Sequence, residues 1–229
     1  MKKRVLGLGV AALIAVPVTL SAQALGVGIR AGTLGFGAEG ALGIGEMVAV
    51  RGGVGLFPVE TDATKFWDIG ADVNAKLKLP KTWYNIGLDV YLGGAFRIGG
   101  GMLYRPDDPT ITATLPQGAS IDIGDQTFTA AEVSEVVGSL DAKKSAPYAL
   151  IGFGKHTSTG TGLFLDLGLA FLGDSHVSLE ATKGNPTVIG SPVFQQQLAI
   201  EEQNLENDLP NWAKKYWPIA SIGLRIGID

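Results

Sequence analysis

The sequence predicts an all-β fold: an antiparallel up-and-down transmembrane β-barrel of about eight strands, with short helices in its long loops. Three observations lead there. Apolar residues alternate with small or charged ones along eight short segments, a two-residue period that gives each strand two unlike faces. The connections between segments alternate short and long, as when tight turns lie on one side of a bilayer and large loops on the other. Glycine occurs 33 times without a collagen-like period, which suits many short strands with glycine among them.

A targeting segment precedes the first strand. Lys2, Lys3 and Arg4 form a basic start, Val5 to Leu20 an apolar stretch, and Ala22-Gln23-Ala24 a small-x-small cleavage site before Leu25. An uncleaved membrane anchor would share the apolar stretch, but its shortness and the placement of the Ala-x-Ala site favour cleavage. The expected division is a signal peptide over 1–24 and an outer-membrane barrel domain over 25–229. Removing the three basic residues takes the formal charge from −4 to −7. A mature chain that acidic lacks the basic patch nucleic acid requires. There is no cysteine, so disulfides and thiolate metal sites are excluded. Hydrophobic residues make up 46% of the chain, too many for disorder. Beyond Leu25 no apolar run reaches the roughly 18 residues of a membrane helix.

The strands follow in order. Leu25, Val27, Ile29 and Ala31 oppose Gly26, Gly28 and Arg30. Phe36, Ala38 and Gly40 oppose Gly37, Glu39 and Ala41, and these first two segments are short enough to merge. Val50 to Leu56 sets Arg51 among glycines; Ile86 to Tyr91 sets Asp89 on the same face as Gly87. Phe96 to Tyr104 carries Arg97 opposite Ile98 and Met102. Ala149, Ile151 and Phe153 oppose Leu150, Gly152 and Gly154. Leu165, Leu167, Leu169 and Phe171 oppose Phe164, Asp166, Gly168 and Ala170. Ala220 to Ile228 carries Arg225 opposite Leu224 and Ile226. Most of these reach the roughly 9–11 residues of a tilted membrane strand, and bacterial barrels have an even strand number, so eight is kept.

Short connections fall at 44–46, 93–94 and 155–161, long ones at 57–66, 106–145 and 173–215. With the amino terminus in the periplasm, all three short turns lie on the periplasmic side. Thr33-Leu34 is then a very tight outer loop. Residues 67–79 alternate as a strand extending beyond the membrane, interrupted at Pro80 and continued at Trp83. Thr129-Ala130-Ala131-Glu132 has capping-box spacing before Val133, Val136 and Val137, which predicts a helix. Ser191-Pro192 suits a cap and first helical position before Phe194, Leu198, Leu205 and Leu209, with Pro210 as the stop. Trp83, Tyr104, Trp212, Tyr216 and Trp217 are the expected aromatics of the membrane–water boundary.

The charges within the strands carry the functional reading. Arg30, Glu39, Arg51, Asp89, Arg97, Asp166 and Arg225 all lie on the face opposite the apolar one. In a barrel that face points into the lumen. Arginine bonds carboxylates through two parallel contacts, offsetting part of the desolvation cost, so the first reading is an ion-pair network that fills the barrel. The second is a narrow porin-like pathway for small solutes. Eight strands leave room for little beyond side chains, which favours the first. A soluble periplasmic sandwich or lipocalin-like barrel would show the same alternation with the faces reversed.

Other chemistry is thinly represented. His156 falls in a predicted periplasmic turn and His176 in an outer loop beside Asp174, Ser175 and Ser178. A barrel enzyme acting on outer-membrane lipid would use such residues as base and nucleophile. Polar loops carry these types by chance, so the chain is read as non-enzymatic. Asp107-Asp108 and Glu201-Glu202 lack calcium-loop spacing, and no Gly-x-Gly-x-x-Gly string joins a strand to a helix. No metal or cofactor is expected.

The runs Gly32-Thr33-Leu34-Gly35-Phe36-Gly37-Ala38-Glu39, Val50-Arg51-Gly52-Gly53-Val54, Phe96-Arg97-Ile98-Gly99-Gly100-Gly101-Met102-Leu103-Tyr104 and Ala146 to Gly154, with Asp166-Leu167-Gly168, carry a resemblance. Together they resemble small Gram-negative outer-membrane β-barrel proteins akin in architecture to the outer-membrane protein A transmembrane domain. The resemblance implies the fold and the compartment. It transfers no catalytic or ligand residue. The chain is further expected to contact outer-membrane lipid, to be inserted by the barrel-assembly machinery and to be a monomer.

Overall fold

The computed structural model describes residues 24–57, 60–63 and 73–228. The signal-peptide expectation therefore lies outside the described residues. Eight strands close into an antiparallel barrel: β1 (Leu25–Gly32), β2 (Gly35–Ile44), β3 (Val48–Leu56), β6 (Thr82–Gly93), β7 (Phe96–Tyr104), β12 (Ser145–Phe153), β13 (Gly160–Phe171) and β15 (Tyr216–Ile228). Each pairs with its chain neighbours in the barrel, and β15 closes on β1 with Leu25 opposite Ile228. The first two segments remain separate strands. Thr33 and Leu34 join them between the paired Gly32 and Gly35, and Gly35 has φ +84°, a backbone region that favours glycine.

The barrel is apolar outside and polar inside. Ile86 is 62% exposed and Leu163 68%, whereas Arg97 is 0% and Asp166 1% exposed. A water-soluble core would have the reverse distribution. Aromatic pairs ring the outer wall at two levels. Tyr84–Tyr104 and Phe171–Tyr216 lie near the ends where the long connections emerge, and Phe96–Phe153 near the short turns. Between Phe96 and Tyr104 a tilted strand rises roughly 20 Å, close to the apolar band of outer-membrane barrels. Trp83 and Trp217 do not join these rings. They point inward, with their indoles 4.9 Å apart. Trp83 alternates with outward Tyr84, so the pleat itself directs it into the lumen.

The long connections are folded. β4 (Glu60–Asp62), β5 (Asn74–Lys78), β8 (Thr110–Thr114), β11 (Val133–Asp141) and β14 (His176–Gly184) form a separate five-stranded sheet in the order β14-β11-β8-β5-β4. The expected outward extension of β6 through 67–79 is thus corrected where it is described. Asn74–Lys78 pairs with β8 and β4, beyond the break at Pro80. The expected helix after Thr129 is also corrected. Glu132 takes the backbone and side-chain hydrogen bonds of Thr129, 2.9 and 2.8 Å, but the motif closes a turn. These bonds hold the Glu132 carboxyl below its usual range. Val133, Val136 and Val137 continue as strand β11, where β-branched side chains suit the ladder on both sides.

A hairpin, β9 (Ser120–Ile123) and β10 (Gln126–Thr129), and three helices complete this outer module: α1 (Pro186–Ile189), α2 (Pro192–Asp208) and α3 (Asn211–Lys215). The α2 bounds follow the predicted signals: Ser191 caps Phe194 N–H and Leu209-Pro210 ends the helix. Glu201 and Glu202 work as staples. Glu201 accepts from Gly124 N–H at 3.1 Å, Glu202 from Leu179 N–H at 2.7 Å, and Gln197 from Asp125 N–H at 2.7 Å. Beneath them Phe194 and Leu198 pack on Ile123, Phe128, Val133 and Val136. Phe194→Ala is expected to cost this module about 3–5 kcal/mol. Limited proteolysis should then cut within the outer connections while the barrel keeps its heat-shifted gel band.

A sealed lumen as the candidate functional site

Strand order decides which charges meet. β3 and β13 stand four positions apart in the ring of eight, so they face each other across the lumen. Arg51 on β3 reaches across to the carboxylate of Asp166 at 2.6 Å. Its Nε also lies 3.1 Å from Asp89 on the adjacent β6, and its Nη1 3.5 Å from Glu39 on β2. Arg97 on β7 donates to Asp89 at 3.2 Å and to Asp166. Arg30 on β1 lies 3.7 Å from Glu39 and donates to the Asn85 side chain at 2.7 Å. Three guanidinium groups thus face three carboxylates, all buried. Arg225 stands apart from this set. Its guanidinium donates to the backbone carbonyls of Ser158 and Gly160, so its inclusion among the ion-paired charges is corrected.

Glycines make the room. A Cβ on Gly152 would overlap the Arg97 guanidinium and crowd Asp166; one on Gly99 would overlap Asp89; one on Gly162 would crowd Arg225. The inner wall therefore pairs long charged side chains with residues that have none. This accounts for part of the high glycine content noted in the sequence.

Above and below the charges the lumen is closed by different chemistry. Towards the long connections, Leu34, Trp83, Leu103, Ala146, Leu172 and Ile219 form an apolar layer, with Trp217 packed on it. Leu34 comes from the tight turn, which Thr33 ties to β15 through hydrogen bonds with Ala220. At the other end the 154–159 turn folds into the mouth. His156 is buried there, its Nε2 2.5 Å from Glu39 and its ring 4.6 Å from Phe164. The Tyr91 hydroxyl accepts from His156 N–H at 3.1 Å. Between the layers a void of about 10 Å³ touches Arg30, Arg51, Asn85, Tyr148 and Asp166, room for about one water molecule.

His156, like Asn85 and Tyr148, is a lumen residue that sequence reasoning did not place. Its signal was weak: a lone imidazole in a short turn of small polar residues. His176, by contrast, is exposed in the outer module, 3.7 Å from Glu206. Ser175 is buried and donates to the Lys214 carbonyl at 2.6 Å. Tyr104 and Trp212 are exposed, and Tyr216 is half-buried on the outer wall against Phe171. Among the described residues no group of His, Asp and Glu side chains has metal-binding geometry.

No family model and no curated protein matches the sequence. Solved structures do. CarO2 of Acinetobacter baumannii aligns at a TM-score of 0.60 and 18% identity, over 90% of this chain and 98% of that one. CarO of the same organism aligns at 0.54 and 16%, over 88% and 96%. A major outer membrane protein of Thermus thermophilus aligns at 0.44 and 16% identity, over 90% of this chain and all of that one. At such identities the likeness is one of fold.

The network yields a direct expectation. Asp166→Ala leaves Arg51 and Arg97 sharing the remaining carboxylates, and removing one partner of a buried pair costs about 3–5 kcal/mol. Urea unfolding in lipid vesicles, read by the gel shift, should show a lower midpoint. Asp166→Asn, which keeps the shape, should show the smaller loss of the two.

Proposed function

We propose that this chain is a monomeric outer-membrane barrel, exported with a cleaved signal peptide and inserted by the barrel-assembly machinery. Its role in this reading is structural and surface-interacting, with the folded outer module as the part presented outside the cell. The observation that carries the reading is the reversed distribution of polarity. Leucine, isoleucine and valine cover the outside of a closed barrel, and arginine and carboxylate side chains fill its centre. Lipid suits that arrangement, because it takes up the apolar wall and closure leaves no backbone edge unpaired within it.

The sealed lumen favours a structural role over conduction. An ion crossing this barrel would have to displace the His156 turn, then the ion pairs, then the Trp83 layer. Each of these rests on a different interaction, so no single rotamer change opens a path. The outer module has its own core and its own sheet, and loops placed on a rigid scaffold are where binding residues concentrate.

Fractionation with a heat-modifiability gel tests the compartment. The mature protein is expected in the outer-membrane fraction with a heat-shifted band; a soluble periplasmic protein without one would overturn the assignment. Planar bilayers test the lumen. The native protein is expected to be electrically silent, and defined conductance steps that change in Arg51→Ala would restore the porin-like alternative.

A further inference from the structure

The rim of the barrel below the outer module carries an uneven distribution of cations. Just beyond the ends of β7, β12 and β15 lie Arg105, Lys143 with Lys144, and Lys215, while β13, between β12 and β15, is followed by Leu172, Gly173 and Asp174. Backbone hydrogen bonds fix their neighbourhood: Arg105 N–H donates to the Lys144 carbonyl, and Leu172 N–H to the Lys215 carbonyl. Lys143 lies across the same arc, its amine 3.9 Å from where a side chain on Gly173 would begin. Arg105 and Lys144 share Asp108. Lys143 and Lys215 are exposed and, among the described residues, have no ion-pair or hydrogen-bond acceptor for their amines.

The level of these lysines is informative. They sit directly beyond Tyr104, Phe171 and Tyr216, the outer aromatic ring. Aromatic rings mark the depth of the membrane–water boundary, so cations immediately beyond them lie at headgroup depth. Trp212, 62% exposed on α3 one turn before Lys215, adds an indole at the same place. The opposite rim, at the short turns, presents exposed Glu46, and Lys155 there lies over the Tyr91 ring.

Given the outer-membrane reading, on which this inference rests, we propose that the β12–β13–β15 rim binds a phosphorylated glycolipid headgroup of the outer leaflet through Lys143 and Lys215. The Lys143 amine reaches over Gly173 at the end of β13, and Lys215 directly precedes the adjacent β15, so the two cations flank one strand end. Two unpaired cations side by side complement a headgroup bearing two phosphates better than one bearing a single charge. Lys144 and Arg105, beside them at the ends of β12 and β7, already share Asp108. Asp174, beside Gly173, opposes the anion and limits its affinity.

Native mass spectrometry of the full mature chain, released from detergent, tests this with defined probes: bis-phosphorylated lipid A, its dephosphorylated form, and phosphatidylglycerol. The native protein should retain bis-phosphorylated lipid A in preference to the other two. Lys143→Ala with Lys215→Ala should lower that retention roughly tenfold or more, since each lysine at an anionic surface contributes. Lys81→Ala, a lysine at the β6 start on the side of β7 away from β12, should change nothing, and Asp174→Asn should raise retention. Equal retention of the dephosphorylated form, of phosphatidylglycerol, or by the double variant overturns the proposal. The heat-shifted band shows separately that each variant is folded, and fractionation of the native protein judges the membrane reading by itself.

Discussion

Closure at eight strands is the constraint from which the rest follows. A ring that small leaves an interior about one side chain wide. Every inward residue must therefore either find a partner or be absent, and the sequence uses both solutions. Arg51 spans the lumen from β3 to Asp166 on β13, while Gly152 and Gly99 supply the space its neighbours Arg97 and Asp89 occupy. Three cations against three carboxylates leave no net charge in the middle layer, the condition under which buried ions are tolerated. Arg225, the fourth cation, lies near the mouth and is satisfied by carbonyls of a turn instead.

The barrel was legible in the sequence because its signal is simple. A strand with lipid on one side and a packed lumen on the other must alternate, and all eight segments did. Turn asymmetry supplied the order. What was not legible depended on contacts distant in sequence. Trp83 read as an interface aromatic because such residues occur at strand ends; only its pleat position beside Tyr84 sends it inward to Trp217. His156 gave no pattern, since its role comes from a turn folding back onto Glu39, 117 residues earlier in the chain.

The outer module shows the same limit from another side. Its α2 helix was legible from Ser191-Pro192 and Pro210, local start and stop signals. Its sheet was not. β8 alternates Thr110, Ile111, Thr112, Ala113 and Thr114, a strand pattern too short to stand alone. β11 followed a turn with capping-box spacing, and the local signal for a helix lost to pairing with β8 and β14. The glutamates of α2, read only as an acidic pair without calcium-loop spacing, hold backbone N–H groups of the hairpin and of β14. Tertiary partners decided each case.

The buried charges also bear on how the barrel finds one register. Sliding any strand by one residue turns its inner face to lipid. For β3 that would place Arg51 in the bilayer, at about 2–4 kcal/mol near the midplane, and would leave Asp166 and Asp89 short of a partner. An all-apolar lumen would impose no such penalty, because leucine is as stable in lipid as in a packed interior. The same argument applies to β6, β7 and β13, whose Asp89, Arg97 and Asp166 are each bonded to a charge on another strand. Ion pairs that contribute little to net stability therefore select the register strongly, since every misregistered alternative separates them and exposes at least one to hydrocarbon.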